Sequence, residues 1–154
     1  MLTVRPFDGD VAALIDLFRT TVRSVNLGDY TEDQVRAWAP DIIDETVWAK
    51  RIAANTCYLA EIDGSLAGFT ELTSTGHVEM LFVAKDRQRR GVASALLAHA
   101  ENEARAHGLS KMTTEASLTA RPVFERHGYS VVKRQEVSRG GQTLANFVME
   151  KPLA

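Results

Sequence analysis

The chain has 154 residues, 45% of them hydrophobic and 25% charged, with a formal net charge of −2. That length supports one packed domain without disulfides or metals, and the mild acidity excludes the global positive field of a nucleic-acid or anionic-membrane binder. A single cysteine, Cys57, excludes an intramolecular disulfide framework and a cysteine-rich zinc site.

Leu2 to Arg5 reads as a short strand closed by Pro6 and the turn Asp8-Gly9. From Asp10, an N-cap candidate, Val11, Leu14, Ile15, Phe18, Val22 and Val25 recur at helical spacing. Thr31-Glu-Asp-Gln34 has the capping-box pattern and opens a short helix through Val35 and Trp38, ended before Pro40. Asp44 caps a further helix through Trp48 and Ile52 to Asn55. The period then changes: Cys57 to Ile62 and Leu66 to Leu72 are strand runs joined around Asp63-Gly64, a hairpin signal. A third strand follows over His77 to Val83. Val92, Leu96, Leu97, Ala100 and Ala104 mark a helix face ending at His107-Gly108, with glycine as the C′ residue. Lys111 to Ala116 reads as a strand, Ala120 to Arg126 as a helix closed by Gly128, and Tyr129 to Val137 and Thr143 to Glu150 as two last strands. No repeat, linker or low-complexity stretch interrupts them, so one α/β domain on a mixed sheet is expected over residues 1–154. The N-terminal residues lack the basic-then-apolar order of a signal peptide, and no apolar run approaches membrane-spanning length. A cytoplasmic enzyme or binding domain is the expectation.

Lys85-Asp-Arg-Gln-Arg-Arg-Gly91 joins the strand ending at Val83 to the helix starting near Gly91. The first N–H groups of a helix lack intrahelical partners and carry partial positive charge, so they receive anions. Glycine at 91 puts no Cβ between ligand and amide, Ala93 and Ser94 keep the first turn thin, and arginines add charge-assisted bonds to phosphate oxygens. The pattern is a pyrophosphate cradle, but neither a Walker loop nor a dinucleotide fingerprint.

Gln88-Arg-Arg-Gly91-Val-Ala93 resembles the Gln/Arg-x-x-Gly-x-Gly/Ala signature of the GNAT N-acetyltransferases, in the strand–turn–helix position where that family binds acetyl-CoA. Ser117-Leu-Thr-Ala120-Arg-Pro-Val-Phe124-Glu125-Arg-His-Gly128-Tyr129 is similar to a second family block, Asn-x-x-Ala-x-x-x-Tyr-Glu-x-x-Gly-Phe. The order of elements agrees over nearly the whole chain. The resemblance implies the GNAT acyl-CoA fold, a mostly antiparallel mixed sheet flanked by helices. It implies acetyl-CoA as co-substrate, no metal, and direct transfer to the primary amine of a small molecule or peptide in a ternary complex. Coenzyme contacts are then expected at Leu81, Phe82 and Val83, whose strand would splay from its neighbour. They are expected also at Gln88, Arg89, Arg90, Gly91, Val92, Ala93, Ser94 and Phe124. Trp38, Trp48 and Tyr30 fall in the segment that shapes the family's acceptor pocket.

Acetyl transfer needs a proton acceptor for the amine, whose ordinary pKa is near 10, and N–H donors for the oxyanion. Glu79 is the expected base, through a water: it lies in an apolar strand, alternation puts it with Leu81 and Val83, and desolvation would raise its basicity. Glu71 and Glu115 are rivals, better read as structural acids, and His77 is a second candidate carrier. The family's usual acid tyrosine falls on Phe124, which has no proton to give. Ser117 and Tyr129 are the available hydroxyls, with Tyr129 also read as core. That departure leaves open a catalytically silent acyl-CoA-binding module. Nucleic-acid binding through Arg87, Arg89 and Arg90 is disfavoured by the overall charge, no membrane partner is expected, and a homodimer stays open. Cys57 reads as a small buried hydrophobe.

Overall fold

The computed structural model describes residues 1–153. Strand β1 (Leu2–Pro6) leads into helix α1 (Val11–Ser24), a 3₁₀ turn at Asn26–Gly28, α2 (Glu32–Trp38) and α3 (Glu45–Ala53). Strands β2 (Thr56–Ile62), β3 (Ser65–Leu72) and β4 (His77–Val83) follow, then a 3₁₀ turn at Lys85–Arg87 and α4 (Val92–Ala106). The chain closes with β5 (Lys111–Ser117), α5 (Arg121–Arg126), β6 (Ser130–Arg139) and β7 (Gln142–Pro152).

The expected start signals operate. Asp10 accepts from the Ala13 N–H, Asp44 from that of Thr46, and Thr31 and Gln34 cap each other reciprocally. Asp63 and Gly64 adopt φ of 50° and 83°, the left-handed pair that a tight two-residue hairpin between twisted strands requires.

Seven strands form one sheet in the order β1-β2-β3-β4-β5-β7-β6, antiparallel except where β4 meets β5. Adjacent strand residues point to opposite faces, and Leu59 and Ala60 enter different apolar clusters. The Leu59 cluster collects Leu14, Phe18, Val35, Trp48 and Ile52 from α1, α2 and α3. The opposite face packs Val92, Leu96, Leu97 and Ala100 of α4 and Phe124 of α5. Burying these side chains is the main stabilisation, about 1.5–3 kcal/mol for each large one. No helix among the described residues is long and apolar enough to cross a membrane.

Two irregularities in β4 position everything that follows. Against β3, Glu71 pairs with Met80 but Leu72 with Val78, so Glu79 is an extra residue, a β-bulge. Against β5, pairing covers only His77 and Val78, so the strands part at that same residue. The splay expected from the family resemblance is present.

Candidate active site

The parted strands open a cleft of about 620 Å³ that runs from the fork toward α2 and α3. Its fork is lined by His77, Glu79, Leu81, Glu115, Ser117 and Phe124, and its outer wall by Phe18, Trp38, Ile42, Val47 and Trp48. That volume falls in the usual range for small-molecule sites. From the fork, β4 continues through Phe82 and Val83 into the arginine turn, so one strand connects the cleft to the N-terminus of α4.

At that turn, Gly91 is the residue before α4, with φ of 81° and no side-chain cap on the helix. A Cβ there would meet no protein atom within 4 Å, so the helix start faces open space. Arg89, itself left-handed at φ 60°, and Arg90 are exposed. Neither makes an ion pair among the described residues. Uncommitted guanidinium groups beside unsatisfied N–H groups suit a polyanion. The side chains of three other expected coenzyme residues, Gln88, Val92 and Ser94, are engaged elsewhere. Gln88 donates to the Val83 carbonyl at 2.8 Å and closes the turn. Val92 is buried in the core, and Ser94 lies 2.9 Å from His127 Nε2. Because His127 Nδ1 lies 2.8 Å from the Val123 carbonyl, it carries the proton there, and Ser94 donates to Nε2. At the start of α4, Val92 and Ser94 therefore leave backbone N–H groups, not side chains, uncommitted.

Glycine 68, which the sequence reading passed over, sets the height of α4 above the sheet. A Cβ at that position would sit 2.7 Å from the Phe82 carbonyl oxygen and 2.9 Å from Val92 Cγ1. The lone glycine inside a strand pattern was the available signal, since it marks close backbone approach.

Four acidic or basic groups were candidates for proton transfer, and the fold separates them. Glu71 is fully buried, does not line the cleft, and accepts two bonds from Arg51 Nε at 3.0 Å and one from Asn55 at 2.7 Å. It is a structural acid. Glu115 is exposed at the cleft. Glu79 also lines the cleft, but its side chain is 39% exposed, not embedded. Nor does it share a face with Leu81 and Val83. Val78 and Leu81 pack into one cluster although three residues apart, which strict alternation forbids and the extra residue explains. His77 stands beside it, half-buried, with Nε2 3.9 Å from Glu79 Oε2 and Nδ1 2.8 Å from Thr113 Oγ1.

Hydroxyl groups sort as cleanly. Tyr129, expected as a possible acid, does not line the cleft. Its ring packs on Phe124 with centroids 5.0 Å apart and its hydroxyl contacts Met112 Sδ at 3.5 Å. Burial pushes its pKa up, with Glu101 adding to the effect, so this hydroxyl holds its proton in the core. Ser117 does line the cleft. Its Oγ accepts from the Ala120 N–H at 3.0 Å and the Asn26 amide at 3.5 Å, leaving its own hydrogen free. Tyr30 reaches the cleft too, but its hydroxyl accepts from the Leu118 N–H at 2.9 Å and donates to the Ala145 carbonyl at 2.7 Å. Cys57 is buried beneath α3, and burial, with the Glu71 charge second, pushes its thiol up to about 12. It is not a nucleophile at neutral pH.

Comparison with known proteins agrees with this geometry. Residues 26–151 match the family described as the acetyltransferase (GNAT) domain. An "uncharacterized N-acetyltransferase YafP" of Escherichia coli (strain K12) is 36% identical over 141 residues, 92% of this chain and 89% of that one. The crystal structure of a "GCN5-Related N-acetyltransferase: Aminotransferase, Class-II" from Rhodopseudomonas palustris superposes with a TM-score of 0.94. It is 33% identical and covers 98% of this chain and 95% of its own. The PaiA N-acetyltransferase of Thermoplasma acidophilum, solved in complex with coenzyme A, shares the fold at a TM-score of 0.80. Its identity is 18% and each chain is 99% covered. The chain belongs to the GNAT family and is an N-acetyltransferase.

Proposed function

We propose that the protein transfers the acetyl group of acetyl-CoA to a primary amine by direct attack in a ternary complex. The observation that carries this reading is the fork: β4 leaves β5 after Val78 and opens a cleft, and the same strand runs on from that cleft into the arginine–glycine turn. The N-terminus of α4 with Arg89 and Arg90 would hold the pyrophosphate. Main-chain amides of Leu81 and Val83, on the strand edge that has lost its β5 partner, would hold the pantetheine arm and the thioester carbonyl, while the intervening Phe82 amide faces Phe69 of β3. Phe124 closes the apolar floor beside the sulfur.

The acceptor enters from the α2–α3 side. Its ammonium loses a proton through a water to Glu79, whose exposed carboxylate can pass it to solvent. The amine nitrogen then bonds to the acetyl carbon, the carbon–sulfur bond breaks with its electron pair leaving as coenzyme A thiolate, and the second proton of the nitrogen passes to that thiolate, giving the amide and free coenzyme A. A thiolate is a stabilised anion, so its departure does not need the tyrosine that Phe124 replaces. Ser117 has the free hydroxyl hydrogen in the cleft and supports the leaving sulfur with a hydrogen bond.

Release of free thiol from acetyl-CoA, followed with a panel of amines, tests the reading. Amine-dependent release is the expected result. Tight acetyl-CoA binding by calorimetry with no release for any amine would establish the silent binding module that Phe124 left open.

A further inference from the structure

Two large apolar side chains at the mouth of the cleft have nothing over them. Ile42, in the loop between α2 and α3, is 90% exposed, and Val47, in the first turn of α3, is 59% exposed. Single exposed apolar residues are ordinary on any surface. These two share the rim of one cleft with Trp38, a half-buried aromatic wall, and a contiguous apolar rim marks a binding surface. The carboxylates are distributed differently. Glu79 and Glu115 stand on the parted strands at the fork, and Asp44 spends Oδ1 on capping α3 at the Thr46 N–H.

We infer that the acceptor is an amphipathic primary amine: one ammonium group on a compact aromatic or branched-alkyl body. The inference rests on the acetyltransferase reading and specifies its substrate class. The ammonium is drawn to Glu79 and Glu115 at the fork, where the thioester carbon would lie. The body lies against Trp38, Ile42 and Val47, which gain from covering one another and lose little entropy in doing so. A polyamine fits this wall poorly, because the Asp44 charge is offset by Arg139 on the same cleft and a second ammonium would otherwise lie against apolar side chains. A cleft of about 620 Å³, shared with the end of the coenzyme, also suits a small molecule better than a folded protein surface.

Thiol release with acetyl-CoA is to be measured with 2-phenylethylamine, isoamylamine, spermidine and a lysine-containing tetrapeptide. The two apolar amines are expected to give kcat/KM at least tenfold above the other two. Ile42→Asp and Val47→Asp should each raise KM for phenylethylamine about tenfold, with KM for acetyl-CoA unchanged. Preference for spermidine, with Asp44→Asn raising its KM, overturns this inference and leaves acetyl transfer intact, as does preference for the peptide. Rim variants that leave KM for phenylethylamine unmoved overturn it as well. Release with none of the four amines overturns this inference, and the acetyltransfer reading falls with it only when the wider amine panel also gives no release.

Discussion

His77 Nε2 lies 3.9 Å from Glu79 Oε2 while its Nδ1 lies 2.8 Å from Thr113 Oγ1. Thr113 fixes the ring through Nδ1, and at 3.9 Å the other nitrogen stands beside the carboxylate without a hydrogen bond to it. This pair stands where β4 and β5 separate, and it frames the first prediction. Glu79→Gln keeps size and hydrogen bonding but removes basicity. Acetyl-CoA affinity should hold while kcat at neutral pH falls about a hundredfold, with part recovered at high pH as the amine deprotonates unaided. His77→Phe should lower kcat less, because it removes only a polar neighbour of the carboxylate. Steady-state kinetics across pH decide this, and near-native rates for Glu79→Gln at every pH would move the base to Glu115 or solvent.

Gly91 combines a left-handed φ of 81° with open space where a side chain would go. Gly91→Glu therefore carries a backbone cost of about 1 kcal/mol and projects a carboxylate toward the phosphates. The variant should remain folded by circular dichroism and lose acetyl-CoA affinity by about a hundredfold or more in calorimetry. Gly91→Ala, which bears the backbone cost without the charge, should lose much less. Equal losses in the two variants would mean that strain, not repulsion, governs the turn.

The Arg51–Glu71 pair predicts a stability effect without a chemical one. Glu71 is fully buried and Arg51 is three-quarters covered, lying over the Trp48 ring at 4.6 Å. Breaking a buried pair leaves an uncompensated charge, at a cost of about 3 kcal/mol. Denaturant unfolding of Glu71→Gln should show that loss, and its kcat at a temperature where it is folded should match the wild type. A large kcat loss in the folded variant would place Glu71 in the chemistry after all.

Cys57 gives a pH signature with a defined sign. Its ordinary thiol value of 9.0 applies to the unfolded chain, and burial raises it to about 12 in the fold. The folded state thus retains a proton that the unfolded state has lost, and stability falls as pH rises from 9.0 toward about 12. Below pH 9 the contribution is fully present. Cys57→Ala should flatten that decline in urea titrations at alkaline pH, and iodoacetamide should label Cys57 only in denaturant. Rapid labelling of the native protein at pH 7 would refute the buried, protonated thiol.

Much of the scaffold was legible because its signals are local. Caps at Asp10, Thr31 and Asp44, the Asp63-Gly64 turn and the helix face of Val92 to Ala104 each need only a few neighbouring residues. The glycine turn at 91, left-handed at the start of α4, was legible for the same reason. The bulge was not: Met80-Leu-Phe-Val83 is apolar on both faces, so its spelling is the same with or without an extra residue, and Glu79 was assigned to the wrong face. Arg51 and Glu71 are twenty positions apart, a pairing that only the packing of α3 on β3 creates. Tyr129 drew attention as a hydroxyl in the second motif, but the turn at Gly128 directs it inward onto Met112.

The extra residue at position 79 gives the enzyme an unusual sensitivity to length. Removing any single residue from Val78 to Met80 would let β4 mend its register with β3 and return its side chains to strict alternation. The mended strand could then run alongside β5 and zip the fork shut. Such a deletion would trade the fork for a continuous ladder and close the gap on which the proposed meeting of the two substrates depends. In this fold the cleft is a stretch of unmade ladder, and the reading frame of one strand keeps it open.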